Sequence, residues 1–145
     1  MEKVFEDEFM EIQIGMVSLC LEALEDVNIK VDKIYIYAFC DEHETFFNTF
    51  FEYNSQIVSF NELGVSDDII NQVFDLGMDD TEKIVDLCTE YNRKAPIEYK
   101  LIYDTNTKSF DSDYGYDNLE NTELGCAGAF EDWENEVKNN LVSFM

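Results

Sequence analysis

Nine residues, Lys33 to Asp41 (KIYIYAFCD), narrow the folds open to this chain more than any other stretch. They are rich in β-branched and aromatic side chains, which suit a pleated strand. Successive side chains of a strand point to opposite faces, and here both alternating sets are apolar. Water is therefore kept, at least in part, from both faces of this strand. Such a strand belongs in a sheet with other elements packed on it.

The neighbouring segments supply that sheet. Asp41-Glu-His-Glu44 is a polar turn, and Thr45 to Tyr53 (TFFNTFFEY) is the hairpin partner. Asn54-Ser55 turns into a short third strand, Gln56 to Phe60. Ile97 to Tyr103 alternates Ile97, Tyr99, Leu101 and Tyr103 against Glu98 and Lys100. Asp104 to Lys108 is a hairpin loop, and Ser109 to Tyr116 returns with Phe110, Tyr114 and Tyr116 on one parity.

Three segments carry the helical period instead. From about Glu2 to Val27, Phe5, Phe9, Ile12, Met16, Leu19, Ala23 and Val27 recur at steps of three and four. Glu6, Asp7, Glu8 and Glu11 crowd the first turns, where acid suits the positive end of the helix dipole. Ser66 to Asn92 is helical, with Ser66 as N-cap and Asp67 and Asp68 in the first turn. Gly77 is expected to interrupt it, with a further helix starting at Asp80 or Thr81, and Ala95-Pro96 closes the segment. After a loop from Leu119 to Gly128, a last helix is predicted from about Phe130 to Leu141, with Trp133, Val137 and Leu141 inward. The order α-β-β-β-α-β-β-α, with short hairpin links, predicts an α+β fold: an antiparallel sheet of about five strands flanked by helices. No linker, repeat or low-complexity tract divides the chain, so residues 1–145 read as a single domain.

Charge constrains function as strongly as the strand constrains fold. There are 33 Asp and Glu against 9 Lys and Arg, a formal net charge of -24. With 46% apolar and 14% aromatic residues, that acidity sits on a folded body rather than a disordered tail. Such a field repels DNA, RNA and anionic membranes and speeds association with basic partners. A generally acidic proteome is the plainer source of the same charge. No Lys or Arg falls between Lys33 and Lys83, or between Lys108 and Lys138. The second gap holds Asp111, Asp113, Asp117, Glu120, Glu123, Glu131, Asp132, Glu134 and Glu136, together with Tyr114, Tyr116, Phe130 and Trp133. Acids interleaved with aromatics imitate nucleic acid, carboxylates standing for phosphates and rings for bases, and aromatics anchor protein interfaces. The plainer reading makes Tyr114, Phe130 and Trp133 core and the acids their solvated neighbours, and for Trp133 it is preferred. The candidate partner-binding residues are Asp111, Asp113, Tyr114, Tyr116, Asp117, Glu120 and Glu123.

Nothing resembles a catalytic or metal-binding signature. His43, the one histidine, falls in the polar turn with no second histidine or cysteine pair at ligand spacing. Carboxylates are so abundant that a glycosidase-type pair carries no information. A calcium loop starting at Asp104 meets Lys108 and Ser109 where a ligand and glycine belong; one starting at Asp111 meets Tyr116 and Thr122. Neither a Walker nor a Rossmann glycine pattern occurs, and Gly125-Cys-Ala-Gly128 reads as a turn into the last helix. Cys20, Cys40, Cys88 and Cys126 are far apart, and Cys20 and Cys88 lie on apolar helical stripes. Four reduced thiols suit the cytoplasm. The acidic N-terminus lacks a basic leader region, and no apolar run is long enough to span a bilayer. The expectation is a cytoplasmic, non-enzymatic binding protein with no cofactor, no metal, no nucleic acid and no membrane among its partners.

Three blocks resemble the YezG-like family of bacterial antitoxins, also called immunity proteins. They are Val31-Asp-Lys-Ile-Tyr-Ile-Tyr-Ala38 with the aromatic strand Thr45 to Tyr53; Ala95-Pro-Ile leading into Leu101-Ile-Tyr-Asp104; and Ser109 to Leu119 with Leu124-Gly125 and Phe130-Glu-Asp-Trp133. Cys126 stands where the family pattern has proline. The resemblance implies a protein that neutralises a cognate toxin made by the same cell, often a nuclease. An acidic, aromatic-bearing plug suits a basic nuclease site. The rival readings are an acidic adaptor or chaperone-like module and a carboxylate-based hydrolase.

Overall fold

The computed structural model describes residues 4–116 and 125–143. The elements are α1 (Phe5–Glu25), β1 (Lys33–Cys40), β2 (Thr45–Tyr53), β3 (Gln56–Val58), α2 (Asp67–Glu90), β4 (Glu98–Asp104), β5 (Ser109–Gly115) and α3 (Gly125–Ser143). The strands form one antiparallel sheet in the order β3-β2-β1-β4-β5, as the α+β expectation had it. β1 is the middle strand, with Ile36 opposite Thr49 of β2 and Leu101 of β4.

The two apolar parities of β1 fill two separate cores. Ile34, Ile36 and Ala38 turn to the inner face, where α1 and α2 bring Met16, Cys20, Leu24, Ile84 and Leu87 onto Phe47, Phe51, Tyr99 and Leu101. Tyr35, Tyr37 and Phe39 turn to the outer face, where α3 brings Cys126, Phe130 and Trp133 onto Phe50. That second core is a ring cluster: Trp133 meets Phe50 edge-on at 5.0 Å and Tyr35 at 5.7 Å, and Phe130 meets Phe50 at 5.7 Å. Each such ring removed from water contributes about 1.5–3 kcal/mol before entropy is counted.

α2 runs unbroken through Gly77, against the expected interruption. Gly77 is there for closeness, not flexibility. A Cβ added at Gly77 would stand 2.6 Å from the ring atoms of Phe47, so only glycine lets the helix lie on that ring. The Ser66 cap is present, its Oγ accepting from Ile69 N–H at 3.4 Å. α3 also departs from expectation by starting at Gly125 rather than near Phe130. Cys126, Phe130, Trp133 and Val137 form one stripe on the outer core, and the burial of Cys126 draws the glycine- and alanine-rich turn into the helix. Tyr91, the C-cap of α2, is 40% exposed and meets the Phe5 ring edge-on at 5.5 Å.

The two sheet edges are treated differently. β3 pairs only with Phe51 to Tyr53, so the edge of β2 from Thr45 to Phe50 has no strand beside it among the described residues. Phe47 and Thr49 are nevertheless buried. Phe74 of α2 packs on Phe47 at the inner face, Phe130 of α3 packs on Phe46 and Phe50 at the outer face, and Asn48 Oδ1 accepts Thr49 N–H at 2.8 Å. β5, the other edge, has Asp111, Ser112 and Asp113 exposed.

Replacing a helical glycine by alanine ordinarily stabilises by about 1 kcal/mol. Gly77→Ala is expected to do the opposite, destabilising by about 1–3 kcal/mol through overpacking against Phe47. Urea unfolding measures it, and an unchanged or raised midpoint contradicts this account of the glycine.

Candidate partner-binding face

α3 packs over β2 and β3 and over the aromatic residues of β1. The outer face of β4 and β5 is left more open. It carries Glu98, Lys100, Ile102 and Asp104 from β4 and Ser109, Asp111, Asp113 and Gly115 from β5, set by the pairs Lys100↔Asp113 and Ile102↔Asp111. Ser109, Asp111 and Asp113 are exposed, and the four β4 residues are half-buried. Lys100 leans over the Trp133 ring, 5.9 Å from its centroid, so its charge borders α3. Glu98 is held at the other end of β4, accepting a short hydrogen bond from Tyr37 Oη. Asp104 closes the β4–β5 turn by accepting Asn106 N–H at 2.9 Å and Thr107 N–H at 3.1 Å, and these bonds hold its carboxyl below the usual range.

The structure brings Asp111 and Asp113 together on this face, but not Tyr114. Period two turns Tyr114 to the inner face, where its ring stands 5.4 Å from Phe9 and 5.9 Å from Tyr99. Its hydroxyl donates to Gln13 Oε1 at 2.9 Å. Tyr116 lies past the end of β5, 43% exposed, with Lys94 Nζ 5.7 Å from its ring centroid. Asp117, Glu120 and Glu123 lie outside the described residues. Phe130 and Trp133 are core, as the plainer reading had it. Sequence reasoning missed Gln13, a fully buried polar side chain that ties α1 to β5 and donates to Phe9 O at 3.3 Å. Its place among Phe9, Met16 and Val17 is the signal that marks it, since a polar group there needs a partner.

His43 sits exposed in its turn, where Asp41 Oδ1 accepts both His43 N–H and Glu44 N–H at 2.8 Å. A cavity of about 440 Å³ beside it is lined by Cys40, Asp41, Val85 and Ile97. Among the described residues no group of His, Cys, Asp and Glu is arranged to hold a metal ion. Nor is any helix among them long and apolar enough to cross a membrane. No protein-family model matches the chain, and no curated protein matches it.

All four cysteines are free. Cys20 is fully buried, and burial pushes its thiol far up. Cys126 is pushed up to about 11 by burial and by donating to Glu44 Oε1 at 3.2 Å. Cys40 is half-exposed. In the native protein a disulfide-exchange reagent is expected to modify Cys40 first, and denaturant without reductant to bring the titre to four thiols. A lower denatured titre contradicts the reduced state.

Burial also raises the tyrosine hydroxyls, Tyr35 to about 12 and Tyr37 and Tyr99 further. The folded protein thus holds these protons more tightly than the unfolded chain, whose tyrosines titrate near about pH 10. Their contribution is complete below that pH and is lost as pH climbs toward the folded values. The urea midpoint is expected to fall steeply above about pH 10, and a flat profile there contradicts the burial of these hydroxyls.

Proposed function

We propose that this chain is an immunity-type protein that captures and blocks a basic toxin domain, of the nuclease kind, through its acidic surface. The observation that carries the reading is the pairing of Asp111 and Asp113, exposed on an edge strand, in a chain of net charge -24. Carboxylates spaced two residues apart on a strand stand on one face, where they present a line of negative charge as a nucleic-acid backbone does. The field of the whole molecule speeds the encounter, and the local acids orient it. The resemblance of the strand and hairpin blocks to the YezG-like antitoxins supports the same function. Inhibition by occlusion needs no cofactor and no catalytic group on this chain. Tyr116, exposed past the end of β5, offers an aromatic anchor of the kind interfaces favour.

The partner is sought as the product of the neighbouring gene, by co-purification; its failure to co-purify favours the adaptor reading. With that toxin, Asp111→Asn together with Asp113→Asn is expected to slow association several-fold at low salt and flatten its salt dependence. Screening shortens to about 8 Å at physiological ionic strength, so the difference shrinks as salt rises. Stability changes little or rises, because like charges are removed. Stopped-flow binding across a salt series measures it. Equal association at low salt, with equal protection of cells, removes these residues from the contact surface.

A further inference from the structure

β5 is an edge whose backbone points outward. Asp41 N–H donates to Glu44 O at 3.0 Å and Cys40 N–H to Ile97 O at 2.9 Å. Odd residues of β1 therefore bond to β2 and even ones to β4. Carried across the sheet by the register, the same alternation points the N–H and C=O groups of Phe110, Ser112 and Tyr114 away from β4. Among the described residues no strand lies beyond them. Unlike the β2 edge, this one is open among the described residues: Asp111, Ser112 and Asp113 are all exposed.

The helix above that edge overhangs it with uncovered apolar side chains. Met10, Ile14 and Leu21 are 37%, 51% and 37% exposed, and their spacing of four and seven residues puts them on one stripe of α1. That stripe is the flank on the β5 side. Gln13, beside Ile14, bonds to Tyr114, while Phe5 on the opposite flank packs on Tyr91 at the end of α2. Leu21 lines a groove of about 570 Å³ with Leu24, Tyr103 and Lys108, at the turn that leads into β5. Single exposed apolar residues are ordinary. Three in line above an open strand edge are the cover that one more strand would have.

We propose that β5 is a strand-addition site for an extended segment of a basic partner protein in which basic and apolar residues alternate. The added strand bonds to the outward groups of Phe110, Ser112 and Tyr114. Its basic side chains stand beside Asp111 and Asp113 on the outer face, and its apolar side chains pass under Met10, Ile14 and Leu21. Charge decides the occupant: a second copy of this chain would set Asp111 and Asp113 against their own kind, with -24 on each molecule. The proposal rests on the reading that the acidic surface captures a protein, and specifies how.

The probe is a labelled synthetic peptide alternating lysine with valine, long enough to span the seven residues of β5. Two control peptides carry the same composition in block order, and the alternating order with backbone N-methyl groups on one edge. Titrated into the full chain and read by anisotropy, the alternating peptide is expected to bind about tenfold more tightly than either control. Its binding slows amide exchange at Ser112. Ser112→Pro deletes an outward N–H that the sheet does not use, and is expected to weaken the alternating peptide about tenfold and leave the block peptide unchanged. Ile14→Asn weakens the alternating peptide several-fold. If the proline variant does not fold, the N-methyl peptide decides the same point on the parent chain. Equal binding of all three peptides overturns strand addition while leaving acidic capture standing, and failure of all three at low salt overturns it at this edge. A dimer in sedimentation that Ser112→Pro dissolves gives the edge to a second copy and overturns the partner assignment.

Discussion

β1 is hydrogen-bonded along both edges and buried on both faces, and the other elements are placed by the need to keep it so. Its even residues require the layer of α1 and α2, and its odd residues require α3. The requirement is not symmetrical. The inner face takes two long helices and a mixed aliphatic core, while the outer face takes one helix and an almost wholly aromatic cluster. Among the described residues that one helix packs over β2 and β3, while the outer surface of β4 and β5 stays half-open, and that is where the exposed acids of β5 stand.

The acidity is compatible with this fold because it lies outside the two cores. No Asp or Glu is buried among the described residues. Acids also take local structural work at turns: Asp41 between β1 and β2 and Asp104 between β4 and β5 each accept two backbone N–H groups, and Glu62 after β3 accepts Ser59 N–H. Glu98 receives the buried Tyr37 hydroxyl, and Glu44 receives the Cys126 thiol at the start of α3. Ion pairs add little. Arg93–Glu6 at 3.2 Å is largely exposed, the kind of pair worth about 0–1 kcal/mol, and in Lys83–Asp80 at 3.5 Å the lysine is exposed and the aspartate half-buried. The self-repulsion of the remaining charge is a cost the cores offset.

The two edges show how the same sheet is both protected and made available. At β2 the unpaired stretch lies at the bottom of a cleft between α2 and α3, and Asn48 covers the Thr49 amide. At β5 nothing equivalent is seen among the described residues, and charge takes the place of cover. Asp111 and Asp113 discourage pairing with acidic or identical chains.

Much of this was legible in the chain itself. The dual apolar parity of β1, the hairpins at Asp41–Glu44 and Asp104–Lys108, and the serine cap of α2 follow from local rules, because strand alternation, turn chemistry and capping act within a few residues. The α+β class and the antiparallel order followed from them. Local rules misread Gly77, where glycine signals a break in an isolated chain but a close contact in a packed one, and the Gly125–Gly128 turn, which joins α3 although Gly125 has open space around it. They also grouped Tyr114 with Asp111 and Asp113 by proximity in sequence, which neighbours on a strand cannot honour, since odd and even residues leave by opposite faces. What the sequence by itself determined is the charge, the strand with two dry faces and the elements around it. What only the tertiary structure decided is which edge is closed and which is open, because that depends on where helices distant in sequence come to rest on the sheet.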